Sequence, residues 1–280
     1  MSILPSGMII LIIVSLLLCC IGFKRFVWFM SVGYGLSTAG IGATLLIMSL
    51  LRQNYSAIYL VQCIVIIVYG IRLGGFLLFR ELKNESYRQK SREVGGDTTV
   101  PVFVAAVMWI CCGLLYIMQN ASPIYRLLNG TGNTVNIALY IGTFISIIGI
   151  YIEAAADSQK SEAKKINPNM PAMNGLYKYC RCPNYFGEML FWTGNIITGI
   201  GALAGIGQWI IGLAGYIIII YVMMSGAKRV EGRHIKHYGN NEAYIEYSNT
   251  VPLIIPFIPL YHMTTLEEVN AKEAKKGKSK

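Results

Sequence analysis

Long segments without a single Asp, Glu, Lys or Arg residue divide this sequence. These charge-free segments are residues 8–23, 26–51, 53–71, 100–125, 127–152 and 189–227. A helix needs roughly 20 mainly apolar residues to cross the hydrocarbon core of a bilayer, and the last segment is long enough for two such helices. We therefore expect an all-α fold, a polytopic membrane bundle of about seven transmembrane helices. A membrane β-barrel would show short strands of alternating apolar residues instead.

The distribution of charge supports the same fold and predicts its orientation. Charged residues make up 14% of the chain, whereas an ordinary soluble domain has roughly 25%. Most of the 24 Lys and Arg residues lie in alternate connections and in the segment after residue 227. The positive-inside rule then places the N-terminus outside and the C-terminus in the cytosol, in a bacterial inner membrane or the endoplasmic reticulum. The net charge of +10 is thus explained without a nucleic-acid partner.

Two residues near the end of the third apolar segment are candidates for chemistry. Tyr69 and Arg72 are three residues apart and therefore share a helical face. An ionisable residue inside a transmembrane helix is costly to bury unless it is paired, so it is a functional candidate. A phenol beside a guanidinium can donate a strong hydrogen bond to a carbonyl oxygen. Alternatively, the Arg72 side chain reaches the membrane interface and Tyr69 is an interfacial aromatic residue.

The connection that follows residue 152 carries a second candidate site. Pro183 is a typical first residue of a helix, and the free amides of a helix N-terminus can bind an anion. Arg181 would add a charge-assisted hydrogen bond, so the segment suits a phosphate-bearing cofactor at the cytosolic surface. Glu153 and Asp157 share a face with the lysines that follow them; the alternative is an exposed face of weak salt bridges.

A third candidate is the basic helix that begins near residue 228. Arg229, Arg233 and Lys236 recur at helical spacing, so one face is basic and suits either the cofactor or lipid head groups. His234 and His237 could suggest a metal, but the chain has only three histidines, too few for a membrane di-iron enzyme. The seven cysteines contain no C-x-x-C pair, so we expect no metal site.

Taken together, the motifs of the C-terminal half resemble those of the steroid 5-alpha-reductase superfamily, which includes the sterol C14-reductases. The motifs are Asp157-x-Gln159, Gly-x-Tyr and Arg-x-Pro-Asn-Tyr-x-Gly-Glu within residues 175–188, and Arg-x-Glu, Lys-x-Tyr-Gly and Tyr-x-x-Tyr within residues 229–247. The resemblance implies a cytosolic NADPH site. Its residues would be Asp157, Gln159, Arg181, Asn184, Tyr185, Glu188, Arg229, Glu231, Arg233, Tyr244 and Tyr247.

The resemblance extends to the third helix, with two departures. In the 5-alpha-reductases a Tyr-x-x-Arg motif carries the catalytic tyrosine, which implies that Tyr69 is the proton donor and Arg72 its support. That family pairs the tyrosine with a glutamate on helix 2, but this chain has no acidic residue before Glu81. Gln53 and Gln62 are the candidate replacements. The second departure is a glutamate at residue 153, where the 5-alpha-reductases have asparagine.

The resemblance implies an enzyme, an NADPH-dependent oxidoreductase that reduces a C=C bond in a lipophilic enone, steroid-like or isoprenoid. Two alternatives stay open. Isoprenylcysteine and phospholipid methyltransferases share part of the signature and use S-adenosylmethionine, and a lipid-binding protein without catalytic activity could have the same fold. The expected partners are the lipophilic substrate and membrane lipid, with no obligate protein partner.

We divide the chain into three parts. Residues 1–100 contain transmembrane helices 1–3 and a basic loop, and form the substrate side. Residues 101–261 contain helices 4–7 and the cofactor pocket, and residues 262–280 form a basic cytosolic tail.

Overall fold

The computed structural model describes residues 2–83 and 100–268, which are helical for most of their length and contain no β-strand. The all-α prediction is therefore confirmed for this part of the chain. Residues 84–99, most of the predicted basic loop, and residues 269–280 of the tail predicted at 262–280 lie outside the described residues. The helices are α1 (Met8–Cys19), α2 (Val32–Leu51), α3 (Ala57–Lys83), α4 (Val102–Gln119), α5 (Ala121–Leu128), α6 (Ile137–Ile166), α7 (Pro183–Ile197), α8 (Ile206–Tyr238) and α9 (Glu242–Thr250).

Several of these helices fit an integral membrane protein. Within the described ranges, five segments are long and apolar enough to cross a bilayer: Phe26–Leu51, Ala57–Phe79, Val102–Gln119, Ile137–Ile166 and Ile206–Tyr238. The apolar segment Met8–Phe23 is shorter, and α7 has only 15 residues. The count of seven spans and the orientation in the membrane stay predictions.

Helices α6 and α8 continue beyond their apolar segments into the charged motifs. The residues from Glu153 to Ile166 are mostly Ala, Glu, Lys and Gln, which favour helix, and α6 ends just before Asn167-Pro168, where the proline disfavours helix. The helix predicted from Lys228 is the end of α8, and Gly239 follows it. Five of the predicted cofactor residues thus lie on helices that extend from apolar segments: Asp157, Gln159, Arg229, Glu231 and Arg233.

The chain forms two compact units. The first lies within Met1–Ser146 and Trp192–Ile217, and the second within Ile147–Phe191 and Ile218–Lys280. Tyr69 and Arg72 belong to the first unit. All the predicted cofactor residues belong to the second.

In the first unit, helices α2 and α3 approach each other through glycines. A Cβ atom added at Gly35 would lie 2.5 Å from the Gly74 nitrogen, and one added at Gly70 would lie 2.5 Å from the Gly35 carbonyl oxygen. Small residues allow such backbone contact, which is the main source of packing between helices in a bilayer. Tyr34 and Tyr69 directly precede two of these glycines, so the contact also sets the distance between the two tyrosines.

This packing predicts a contrast between two glycines of α3. Gly70→Ala should lower the free energy of unfolding by about 1–3 kcal/mol, because the new methyl group overpacks the helix contact. Gly75→Ala is the matched control, since a Cβ atom there would meet nothing within 4 Å and alanine favours helix by up to about 1 kcal/mol. Thermal unfolding in detergent checks the pair, and equal melting temperatures would contradict the contact.

Candidate functional site

Tyr69 lies in a buried aromatic cluster of the first unit. Its side chain is 0% exposed, and its hydroxyl lies 2.9 Å from the hydroxyl of Tyr34. The indole N–H of Trp192 donates to the Tyr34 hydroxyl at 2.7 Å. The ring of Trp192 also packs edge-on against the Tyr69 ring, at 5.8 Å between centroids. The three polar groups form a continuous hydrogen-bonded chain, the Trp192–Tyr34–Tyr69 chain.

The Trp192–Tyr34–Tyr69 chain of hydrogen bonds has a preferred direction of donation. An indole N–H can only donate, so the Tyr34 oxygen accepts from Trp192. Accepting one hydrogen bond makes a hydroxyl a better donor of the next, which favours donation from Tyr34 to Tyr69. In that arrangement the Tyr69 proton is directed toward a different acceptor, and a carbonyl oxygen is a suitable one.

The residue beside Tyr69 is not the one that the sequence suggested. Of the two candidate replacements for the missing glutamate, Gln62 donates to Thr198 Oγ1 at 2.6 Å, and Gln53 lies exposed in a turn with a φ of 47°. The Tyr34 hydroxyl, on α2, forms a hydrogen bond with the Tyr69 hydroxyl. Arg72, one turn further along α3, is partly buried.

In the second unit, Arg181 and Glu231 form a buried ion pair. The guanidinium Nη2 lies 3.0 Å from Glu231 Oε1, and the two side chains are 3% and 0% exposed. Arg181 also donates from Nε to the Val251 carbonyl oxygen at 3.2 Å and from Nη2 to the Tyr261 carbonyl oxygen. A buried pair is tolerated only when its remaining polar atoms are satisfied in this way.

Glu231 also anchors the segment that follows α9. Its Oε2 accepts from the backbone amides of Met263 and Thr264, at 2.8 and 3.2 Å. Its Oε1 lies 3.0 Å from His262 Nδ1. Residues 251–264 are thereby fixed to α8. Arg181 and Glu231 were predicted to bind the cofactor. In the structure their ion pair holds the segment after α9 to α8. Of the two, Arg181 also lines a crevice.

A crevice in the second unit is lined by cationic and aromatic side chains. It is a partly open depression, and its approximately 380 Å³ of unoccupied space includes open solvent. Three predicted cofactor residues line it: Arg181, Asn184 and Tyr185. Lys160, Lys164 and His234, which were not predicted to bind the cofactor, also line it.

The electrostatics of the crevice favour an anion. Lys160, Lys164 and Arg181 contribute positive charge, and Lys164 also donates to the Tyr238 hydroxyl at 2.7 Å. Burial raises the pKa of Tyr185 to about 12, so its phenol is a neutral hydrogen-bond donor at pH 7. Together these groups can bind a phosphate through charge-assisted hydrogen bonds.

The environment of the Cys182 thiol, in the crevice wall, disfavours its thiolate. Burial raises the pKa of Cys182 to about 11, although the nearby Lys160 and Arg181 lower it. The thiol is therefore protonated at pH 7, and the thiolate is the reactive form. Among the residues that the structure describes, no group of three or more His, Cys, Asp or Glu side chains could hold a metal ion.

Two other predicted residues organise the loop beside the crevice. The Gln159 side-chain oxygen accepts from the Leu176 amide at 2.8 Å, where Gly175 has a φ of 65°. The Tyr247 hydroxyl donates to the Tyr177 carbonyl oxygen at 2.7 Å. Both side chains hold the loop in place, so their effect on a ligand would come through the shape of the wall.

The remaining predicted cofactor residues differ in exposure. Glu188 and Tyr244 are buried, at 6% and 1% exposure, and burial raises the pKa of Tyr244 to about 12. Asp157 is partly buried, and Arg229 and Arg233 are exposed on α8. In the sequence, Lys160 and Lys164 resemble an ordinary solvated helix face of weak salt bridges, so they were not predicted to bind the cofactor. Their spacing from Asp157 was the available signal.

The buried ion pair predicts a loss of stability. Glu231→Gln should lower the free energy of unfolding by about 3–5 kcal/mol, because it leaves the Arg181 charge buried without its partner. Glu246→Gln, on the exposed side of α9, is the matched control and should unfold like the native chain. The check is thermal unfolding in detergent, and a Glu231→Gln melting temperature equal to that of the control would contradict the anchoring role.

A family profile with the description "protein of unknown function (DUF1295)" matches residues 24–251. This range includes the Trp192–Tyr34–Tyr69 chain and all the residues that line the crevice. No curated protein and no solved structure matches the chain.

Proposed function

The chain belongs to the DUF1295 family, and from this premise we propose that it is an integral-membrane, NADPH-dependent reductase of a C=C bond in a lipophilic enone, steroid-like or isoprenoid. The observation that carries the proposal is the crevice, where two lysines and a buried arginine lie beside Asn184 and Tyr185. The resemblance of the surrounding motifs to the steroid 5-alpha-reductase superfamily supports the same activity. The positive-inside rule supports a crevice on the cytosolic side.

The crevice residues fit NADPH better than S-adenosylmethionine. NADPH carries a pyrophosphate and a 2′-phosphate, whereas S-adenosylmethionine carries no phosphate. Lys160, Lys164 and Arg181 would hold phosphate oxygens through charge-assisted hydrogen bonds. Asn184 and Tyr185 would add neutral hydrogen bonds. This concentration of positive charge is the reason that the reductase is favoured over the methyltransferase.

The proposed reaction adds one hydride and one proton across the C=C bond. When bound, NADPH supplies the hydride to the beta-carbon of the enone and is oxidised to NADP⁺. Tyr69 donates a hydrogen bond to the carbonyl oxygen, where negative charge develops, and Arg72 adds a positive charge one turn away. Solvent would supply the proton that the alpha-carbon of the enolate takes up, and the product would be the saturated ketone.

The binding of NADPH is the first testable consequence. We expect the melting temperature of the detergent-purified chain to rise with NADPH, less with NADH, and not with S-adenosylmethionine at the same concentration. A ligand at 100 times its dissociation constant stabilises by about 2.7 kcal/mol. A rise with S-adenosylmethionine alone would favour the methyltransferase, and no rise with any of the three would favour a lipid-binding protein.

A matched pair of lysines locates the binding site within the same experiment. Lys160→Ala should weaken NADPH binding roughly tenfold or more, because a hydrogen bond to a charged group contributes about 1.5–3 kcal/mol. Lys165→Ala removes an exposed lysine from the same helix and should leave the affinity unchanged. Equal dissociation constants for the two variants would contradict the assignment of the crevice.

The proposed role of Tyr69 predicts a loss of turnover. Tyr69→Phe should lower kcat roughly 10²–10³-fold, as expected when one preorganised donor to a developing oxyanion is removed. Tyr59→Phe is the control, since it removes a buried hydroxyl from the same helix, one that donates to the Pro123 carbonyl oxygen at 2.9 Å. The assay is NADPH oxidation with a 4-ene-3-oxo steroid and an acyclic isoprenoid enone, and full turnover of a folded Tyr69→Phe variant would make the catalytic role wrong.

A further inference from the structure

We propose that Tyr34 is the positioning residue for Tyr69, and that with Trp192 it fixes the direction in which the Tyr69 phenol donates. The proposal rests on the proposed reductase activity, since it assigns Tyr34 a function in that reaction. Tyr34 would then act on helix α2 where the 5-alpha-reductases have a glutamate.

The contacts of Tyr34 leave its ring in one position. Its side chain is 6% exposed. The ring packs against Trp192 in a stacked arrangement at 6.3 Å and against Tyr69 edge-on at 6.3 Å. The Tyr116 ring covers it on a further side, at 5.2 Å between centroids. Rotation of the hydroxyl is therefore the main freedom left to this side chain, and the indole of Trp192 restricts that rotation.

The backbone contact between α2 and α3 also limits the distance between the Tyr34 and Tyr69 hydroxyls. Gly35 and Gly70, the neighbours of the two tyrosines, lie in backbone contact, so the Cα atoms of Tyr34 and Tyr69 cannot move apart without opening the helix pair. The hydroxyl separation of 2.9 Å is thus determined by packing. A catalytic group displaced by about 1 Å can lose roughly 10²-fold in rate, so a fixed separation is what a proton donor requires.

The hydrogen-bonded chain is neutral throughout, which suits its surroundings. Nearly all of the described first unit lacks Asp and Glu. The ranges without either residue are 2–80, 100–146 and 192–217. A carboxylate buried there would need a paired cation to offset its desolvation cost, whereas two phenols and an indole bring no charge into the unit. A second phenol therefore gives Tyr69 a hydrogen-bonding partner without a buried charge.

The test compares two phenol-to-phenyl variants in the full-length chain. Tyr34→Phe should lower kcat roughly 10- to 100-fold, while KM for the enone and the dissociation constant of NADPH change less than about twofold. Tyr59→Phe, whose hydroxyl bonds to a backbone carbonyl, should keep the native kcat. A purely structural role would lower the melting temperature of both variants without separating their kcat values. Equal kcat values for the two variants would overturn the proposal.

A measurement that needs no substrate separates this proposal from the proposed function. With 3-fluorotyrosine at position 69, the ¹⁹F resonance in detergent should shift in the Tyr34→Phe variant and not in Tyr59→Phe. If no enone is reduced, the reductase fails, and a shifted resonance still supports Tyr34 as the residue that positions the phenol. An unshifted resonance in Tyr34→Phe overturns the proposal whether or not the chain reduces an enone.

Discussion

The backbone contact between α2 and α3 is the constraint on which the first unit depends. At Gly35 and Gly70 even one added methyl group would meet backbone atoms at 2.5 Å. In a bilayer no hydrophobic force drives helices together, so contact of this kind is a large part of what holds them. Tyr34 and Tyr69 precede these glycines, and their 2.9 Å hydrogen bond follows from the contact. The two Tyr-Gly pairs in the sequence thus determine both the helix packing and the proposed chemistry.

The second unit depends on a charged interaction instead. The Arg181–Glu231 pair fixes the segment after α9 to α8 and places a guanidinium in the wall of the crevice. Because Glu231 balances the charge of Arg181, the net positive charge of the crevice comes mainly from Lys160 and Lys164. We infer that Arg181 contributes shape and directed hydrogen bonds, whereas the lysines contribute the attraction for an anion.

Much of the fold could be predicted because the bilayer imposes simple rules. The absence of charge marks the apolar segments, and helix formers after Glu153 explain why α6 continues to Ile166. The pairing of Tyr34 with Tyr69 could not be predicted, since it joins residues 35 positions apart and a lone tyrosine in an apolar helix resembles any core aromatic. The adjacent glycines were the only local signal.

The candidate cofactor site also depends on contacts that the sequence alone does not reveal. The motif residues Asn184 and Tyr185, at the start of α7, line the crevice. Arg229 and Arg233 share the basic character of a phosphate site but lie exposed on α8. Residue type and spacing along one helix predict a face. Which face meets a cavity depends on partners that are distant in sequence, here the loop held by Gln159 and Tyr247.

Transfer of deuterium from the cofactor to the product is the most direct test of the account. The chain would be incubated with NADPH deuterated at the nicotinamide C4 position and with the steroid and isoprenoid enones, and the products analysed by mass spectrometry and NMR. The account predicts a saturated ketone with one deuterium at its beta-carbon. A saturated product without deuterium, or no reduction of either enone alongside methyl transfer from S-adenosylmethionine, would contradict it.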